Sequence, residues 1–109
     1  VEITGLTIKI LTVQLDVTLA GGQEATAQDV RLALADPQEG PDDTTVWVEP
    51  YAYDPVAEQV QALIVGPYVA ELPDKALRTP PAGAMLYGRV VDHPEDDPAP
   101  LELIEVGRG

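Results

Sequence analysis

Apolar residues recur at every second position in several short stretches of this chain, and each stretch ends in residues that favour turns. Leu6, Ile8 and Ile10 occupy even positions, whereas Val13, Leu15, Val17 and Leu19 occupy odd ones. A period-two pattern changes parity only through a bulge, a bend or a new strand, so a break is expected around Leu11 and Thr12. Either one bulged strand or two short ones would then run to Gly21-Gly22. Val30, Leu32 and Leu34 alternate next, up to Asp36-Pro37. From there to Asp43 the chain has the proline, glycine and acid content of a turn. Thr44 to Val48, with Trp47, is a further strand candidate.

Asp54 to Gly66 fits two descriptions. Asp54 as N-cap, Pro55 at the first helical position, and a stripe of Val56, Val60, Leu63 and Ile64 ahead of Gly66 describe a helix. Val60, Ala62 and Ile64 alternating with Gln59 and Gln61 describe a strand. The strand is expected, because every neighbouring segment reads as β. Glu71 to Pro81, with three prolines, is expected to be a crossing loop. The last third predicts a hairpin, Ala84 to Val91 and Leu101 to Val106, joined by the acidic, proline-rich connection Asp92 to Pro100.

Short strands separated by turns over 109 residues predict an all-β chain with little helix. The expected fold is one antiparallel β-sandwich of about seven short strands, immunoglobulin-like, spanning residues 1–109. Its usual inter-sheet disulfide is ruled out by the lack of cysteine. Trp47, Tyr87, Val90 and the Leu101 to Val106 strand are expected to supply packing instead. Val1 to Leu11, where the parity changes, is the candidate for an edge strand or arm that contacts a partner.

Charge narrows the partners. With 19 acidic against 6 basic residues and a net charge of -13, the chain has no clustered cations with which to hold a phosphate backbone or an anionic membrane. No apolar run approaches the ~20 residues that cross a bilayer as a helix. Val1 at the start is what trimming of an initiator methionine would leave, and a product made in the cytoplasm is expected. Ser, Asn, Phe and Cys are all absent, a compositional bias that carries no functional information.

Candidate chemistry is thin. Nucleophilic catalysis draws on Ser, Cys or an N-terminal Thr beside a base, and the single imidazole, His93, sits in an acidic loop beside Pro94. No enzyme activity and no catalytic residues are expected. Carboxylates cluster at Asp36, Glu39, Asp42 and Asp43, and again at Asp92, Glu95, Asp96 and Asp97 beside His93. These oxygens are those a calcium ion takes, but neither cluster has the spacing and central glycine of the helix–loop–helix calcium loop. Both are read as hydrated turn tips, with no metal and no cofactor. Trp47 is expected in the core. Tyr51, Tyr53 and Tyr68 are divided between the rim of the sandwich and a binding face, since aromatic residues are enriched at interface cores.

Five segments carry a family resemblance. They are Ala27 to Leu34 (AQDVRLAL), Val46 to Glu49 (VWVE), Leu63 to Pro67 (LIVGP), Tyr87 to Glu95 (YGRVVDHPE) and Leu101 to Ile104 (LELI). In order and spacing, the chain resembles small immunoglobulin-like structural proteins of tailed bacteriophages that infect actinobacteria. The match lies over residues 25–106 in short motifs; it departs from the family at Tyr68 to Glu71 and at Met85 to Tyr87. The resemblance implies a non-enzymatic virion protein, assembled in the host cytoplasm, that decorates or stabilises the capsid. Its partners would be the major coat protein or other virion proteins, with many copies on a lattice or as a homo-oligomer. Two other roles remain open: a head-tail or tail accessory protein, and an extracellular immunoglobulin-like binding or adhesion module.

Overall fold

The computed structural model describes residues 1–17, 19–92 and 97–107. Among these residues are eight strands: β1 (Glu2–Ile3), β2 (Ile8–Gln14), β3 (Val30–Ala35), β4 (Ala52–Asp54), β5 (Gln59–Val65), β6 (Ala76–Arg78), β7 (Ala84–Val90) and β8 (Ala99–Val106). Among the described residues, helix is confined to two 3-10 turns, Ala20–Gly22 and Ala27–Asp29. The second is fixed by a capping box in which Thr26 and Asp29 satisfy one another's exposed backbone and side-chain donors.

The strands form two sheets, one in the order β1-β8-β7-β3 and the other in the order β2-β5-β4, with β6 also paired to β5. Most neighbours are antiparallel, while β1 lies parallel to β8 and β6 parallel to β5. One core joins the sheets. Ile3, Val30, Leu32, Leu86 and Ile104 face it from the first sheet, and Val13, Val60, Ala62, Ile64 and Leu77 from the second. The all-β expectation therefore holds, as two sheets packed across a shared apolar layer, which removes these side chains from water.

Period-two alternation identifies the central strands. Val30, Leu32 and Leu34 point inward on β3 opposite Val90, Gly88 and Leu86 of β7. Within Asp54 to Gly66 the apolar run is strand, β5 from Gln59 to Val65, and no helix forms. What resembled a helix start is a tight turn between β4 and β5, with the Asp54 Oδ1 accepting from the N–H groups of Val56 at 2.9 Å and Ala57 at 3.2 Å. The last third is the expected hairpin. Its tip, with His93, Pro94, Glu95 and Asp96, lies outside the described residues.

Four expectations are corrected. There is no bulge near Leu11: β2 pairs with β5 in one unbroken register from Ile8↔Val65 to Gln14↔Gln59. Leu11, Val13 and Leu15 face or flank the core, and Ile8 and Ile10 are left on the outside of the sheet. The parity change marks apolar residues on the outer face, not a bend in the chain. Second, Val1 to Leu11, expected as an edge strand or arm, is no separate arm, because Ile3 is buried in the core and the segment pairs into both sheets, while its last part begins the edge strand β2. Third, Glu71 to Pro81 contains β6, whose Leu77 enters the core. Fourth, Thr44 to Val48 is not a strand; it touches β3 through a single bridge, Leu32↔Val48.

Candidate interaction surface

Trp47 does not fill the core. It is half-buried and lies under the guanidinium of Arg89, whose Cζ is 4.5 Å from the ring centroid. Arg89 pairs with Arg31 in the row of β7 and β3 that alternates with the core-facing Leu86 and Leu32. Trp47 thus covers the outer face of the first sheet, and the stacked cation keeps its own charge at the rim. Nothing in the local pattern separates this role from core packing, because a strand neighbour and a covering loop both favour tryptophan.

The three tyrosines are dispersed. Tyr53 is half-buried against the core, and its Oη donates to the Leu15 carbonyl at 3.0 Å. Burial, supported by the nearby negative charges of Asp16, Glu58 and Asp54, pushes its phenol above the usual value. Tyr51 is exposed just before β4. Tyr68 is exposed after β5, where its N–H donates to the Gly5 carbonyl at 2.9 Å. These residues form no common face.

The acidic loop after β3 is organised by its own backbone. Asp36 Oδ1 accepts from the N–H of Gln38 at 2.8 Å and of Glu39 at 3.1 Å. Asp42 Oδ1 accepts from the N–H and Oγ1 of Thr44 at 2.8 and 2.6 Å. The side-chain carboxylates of Asp43 and Glu39 are exposed and take no part in either set. Among the described residues no three acidic or histidine side chains converge as metal ligands. Of the second acidic cluster, Asp92 and Asp97 are exposed, and the intervening residues are outside the described chain.

Those hydrogen bonds favour the ionised carboxylates and hold both Asp36 and Asp42 below the ordinary carboxylate value. A depressed folded value gives stability that is complete above the unfolded pKa, near ~4, and is lost as pH falls through the folded value. The double variant Asp36→Asn/Asp42→Asn keeps the turns without the titration. In urea unfolding, its deficit relative to the parent is expected to be constant above about pH 5 and to shrink below about pH 4. A pH-independent difference would mean that neither carboxylate couples to folding.

Between that loop and β6 lies an open groove of about 480 Å³, bordered by Leu34, Asp36, Asp42, Val48, Leu77 and Arg78. Its guanidinium is already engaged, since Arg78 Nη1 donates to the carbonyls of Val69 at 2.7 Å and Pro67 at 3.4 Å. The groove therefore offers hydrophobic wall beside carboxylates of the acidic loop, an arrangement that can cover a partner's side chain.

A different feature is more specific. The outer side of β2 carries Ile8 at 56% and Ile10 at 44% exposure, next to Leu6 at 74% in the preceding turn. The turn holding Leu6 is bonded to the segment after β5 by Gly66 N–H to Thr7 O and Tyr68 N–H to Gly5 O. Leu6, Ile8, Ile10 and Tyr68 therefore cluster at one end of the second sheet, beside a strand that has a neighbour on one side only. Sequence alternation named these residues, but took their parity for a change in chain direction. The chain matches no family model, no curated protein and no solved structure.

Proposed function

We infer that this chain is an immunoglobulin-like β-sandwich with a non-enzymatic structural role in the particle of a tailed bacteriophage, as a capsid decoration or stabilising protein. The observation that carries the fold part is strand order. Setting aside the short β6, the strands in chain order can be lettered A to G, which gives one sheet of A-G-F-C and another of B-E-D. Immunoglobulin domains divide C, F and G from B, E and D in the same way. Here the first strand joins G in parallel in place of B.

The virion reading rests on the sequence resemblance, and the placement of its motifs supports it. Val30 to Leu34, Tyr87 to Val90 and Leu101 to Ile104 fall on β3, β7 and β8, adjacent strands of one sheet. Leu63 to Val65 lie on β5 at the centre of the other. Most of the resembling segments thus fall on strands of the frame, while Val46 to Glu49 lies in the loop that meets β3 through the Leu32↔Val48 bridge. A rigid frame of this kind acts by adhesion: exposed apolar side chains such as Tyr51 and Val56 are buried against coat subunits, and the acidic remainder faces water. Repetition over a lattice then multiplies weak single contacts through effective concentration.

Mass spectrometry of purified particles, with copies counted against the major coat protein, tests this reading. Near-stoichiometric recovery is expected for decoration. A ring-level copy number would move the chain to the head-tail region, and absence from the particle would overturn the virion role.

A further inference from the structure

We propose that the free edge of β2 pairs with β2 of a second copy of this chain, antiparallel and in one defined register, so that the second sheets of two molecules become continuous across a two-fold axis. This goes beyond the virion role and does not depend on it.

The unpaired groups can be assigned residue by residue. Leu15 N–H donates to Glu58 O, and Gly66 N–H donates to Thr7 O. Both pairs belong to the register in which Lys9, Leu11 and Val13 lie opposite Ile64, Ala62 and Val60. In an antiparallel ladder, hydrogen-bonded and non-hydrogen-bonded positions alternate. The odd-numbered residues therefore bond to β5, while Ile8, Ile10, Thr12 and Gln14 turn their N–H and C=O groups to the open side.

Other edges among the described residues are protected. The strands β1, β4 and β6 are two or three residues long, β3 is bonded to the Val48 segment through Leu32 at 2.7 and 2.8 Å, and β8 is uncovered by β1 only over its first residues, which include Pro100. In contrast, β2 has seven residues, no proline and no register break. Proteins usually shield such an edge. Here the only charge within it is Lys9, and the exposed side chains beside the free groups include Ile8 and Ile10.

Charge admits a second copy at this edge, and the self-complementary register below selects it. Two molecules of net charge -13 repel over most of their surfaces, yet Ile3 to Leu15 contains no Asp or Glu. The edge is where two copies can meet without opposing carboxylates. Symmetry then fixes the register. Placing Leu11 opposite Leu11 of the second copy pairs Ile8 with Gln14 and Ile10 with Thr12, and the two-fold axis repeats both pairs. Every outward N–H and C=O of β2 is satisfied in that arrangement. It also sets the two Ile10 side chains diagonally beside each other, within reach across the axis, and keeps the two Lys9 ammoniums well apart.

Sedimentation equilibrium of the full chain is expected to show a mass rising from 11.6 kDa towards twice that value as concentration increases. The association should tighten on adding salt, which screens the acidic remainder. Ile10→Lys, an outward substitution away from the core, is expected to weaken dimerisation at least about tenfold, because it places two ammoniums side by side across the axis. Its melting curve at low concentration should match the parent. Register is read by cysteine trapping, for which the cysteine-free chain is suited. Leu11→Cys should cross-link across the axis, since facing non-hydrogen-bonded residues have Cα atoms about 4.5 Å apart. Lys9→Cys should not. A parent that stays monomeric at about 1 mM in high salt, an Ile10→Lys dimer of unchanged affinity, or equal cross-linking of the two cysteine variants would each overturn the proposal.

Discussion

A chain lacking Val1 to Ile10 is expected to remain unfolded in water. The deletion removes Ile3, which is 3% exposed and sits in the core, and truncating a buried isoleucine to alanine alone costs about 2–5 kcal/mol. It also removes the β1–β8 pairing, in which Glu105 N–H donates to Val1 O and Gly107 N–H to Ile3 O. Three of the seven paired positions of the β2–β5 ladder go with Ile8, Lys9 and Ile10. Against a total stability of about 5–15 kcal/mol for a domain of this size, these losses exceed what the remainder can carry. Far-ultraviolet circular dichroism during urea titration checks the outcome. A cooperative, β-rich transition in the truncated chain would show that the N-terminal segment is peripheral after all. The same reasoning bears on partner binding: loss of binding in this deletion would report unfolding, so contacts made by the segment have to be probed through outward side chains such as Ile10.

The strands legible in the sequence are those with one face in the core and the other in water. In β3 and the first part of β5 the inward Val30, Leu32, Val60 and Ala62 alternate with Arg31, Ala33, Gln59 and Gln61, and burial enforces the parity that the pattern shows. The pattern fails in β2 because Ile8 and Ile10 are apolar on the outer face. Alternation reports which residues are apolar, and only burial decides which side of the sheet they occupy. Leu6, Ile8 and Ile10 are also the residues that make this end of the molecule a candidate contact surface, so the misread parity and the exposed patch have one cause.

Other differences arise from chemistry shared between conformations. An aspartate followed by proline can cap a helix or close a turn, and at Asp54 the carboxylate bonds to the N–H groups two and three residues on in the turn leading to β5. The strand β6 is three residues between prolines, too short to show a period, and it is fixed by parallel pairing to β5. The β1–β8 pairing joins residues at opposite ends of the chain, which no local pattern signals. Trp47 is expected in the core, yet its position is set by Arg89 on β7 and by the neighbouring bridge of Val48 to β3.

The crossing from β1 to β2 supplies the second large expected effect. Gly66 ends β5 where Thr4 and Gly5 pass directly over it, and it is held there by its N–H bond to Thr7 O at 2.8 Å. A Cβ at this position would meet the Thr4 carbonyl oxygen and lie 2.5 Å from Gly5 O and 2.6 Å from Gly5 C. These are backbone atoms of a segment anchored on both sides, so they cannot move aside without breaking the pairing of β1 or the start of β2. Gly66→Ala is therefore expected to destabilise the fold by about 3 kcal/mol, the upper part of the range for overpacked sites. Gly5→Ala provides the contrast. Its added Cβ would also be close to a neighbour, but that neighbour is the ring of Tyr68, which is 68% exposed and free to swing into water. Its cost is expected to be about 1 kcal/mol or less, as for a clash relieved by an exposed side chain. Urea midpoints of the two variants at constant m decide between them. Equal losses would mean that the price at Gly66 is conformational and not the close approach of the crossing chain. A negligible loss at Gly66 would mean that the crossing can lift away from β5, and that Ile3 is less firmly tied to the core than its burial implies.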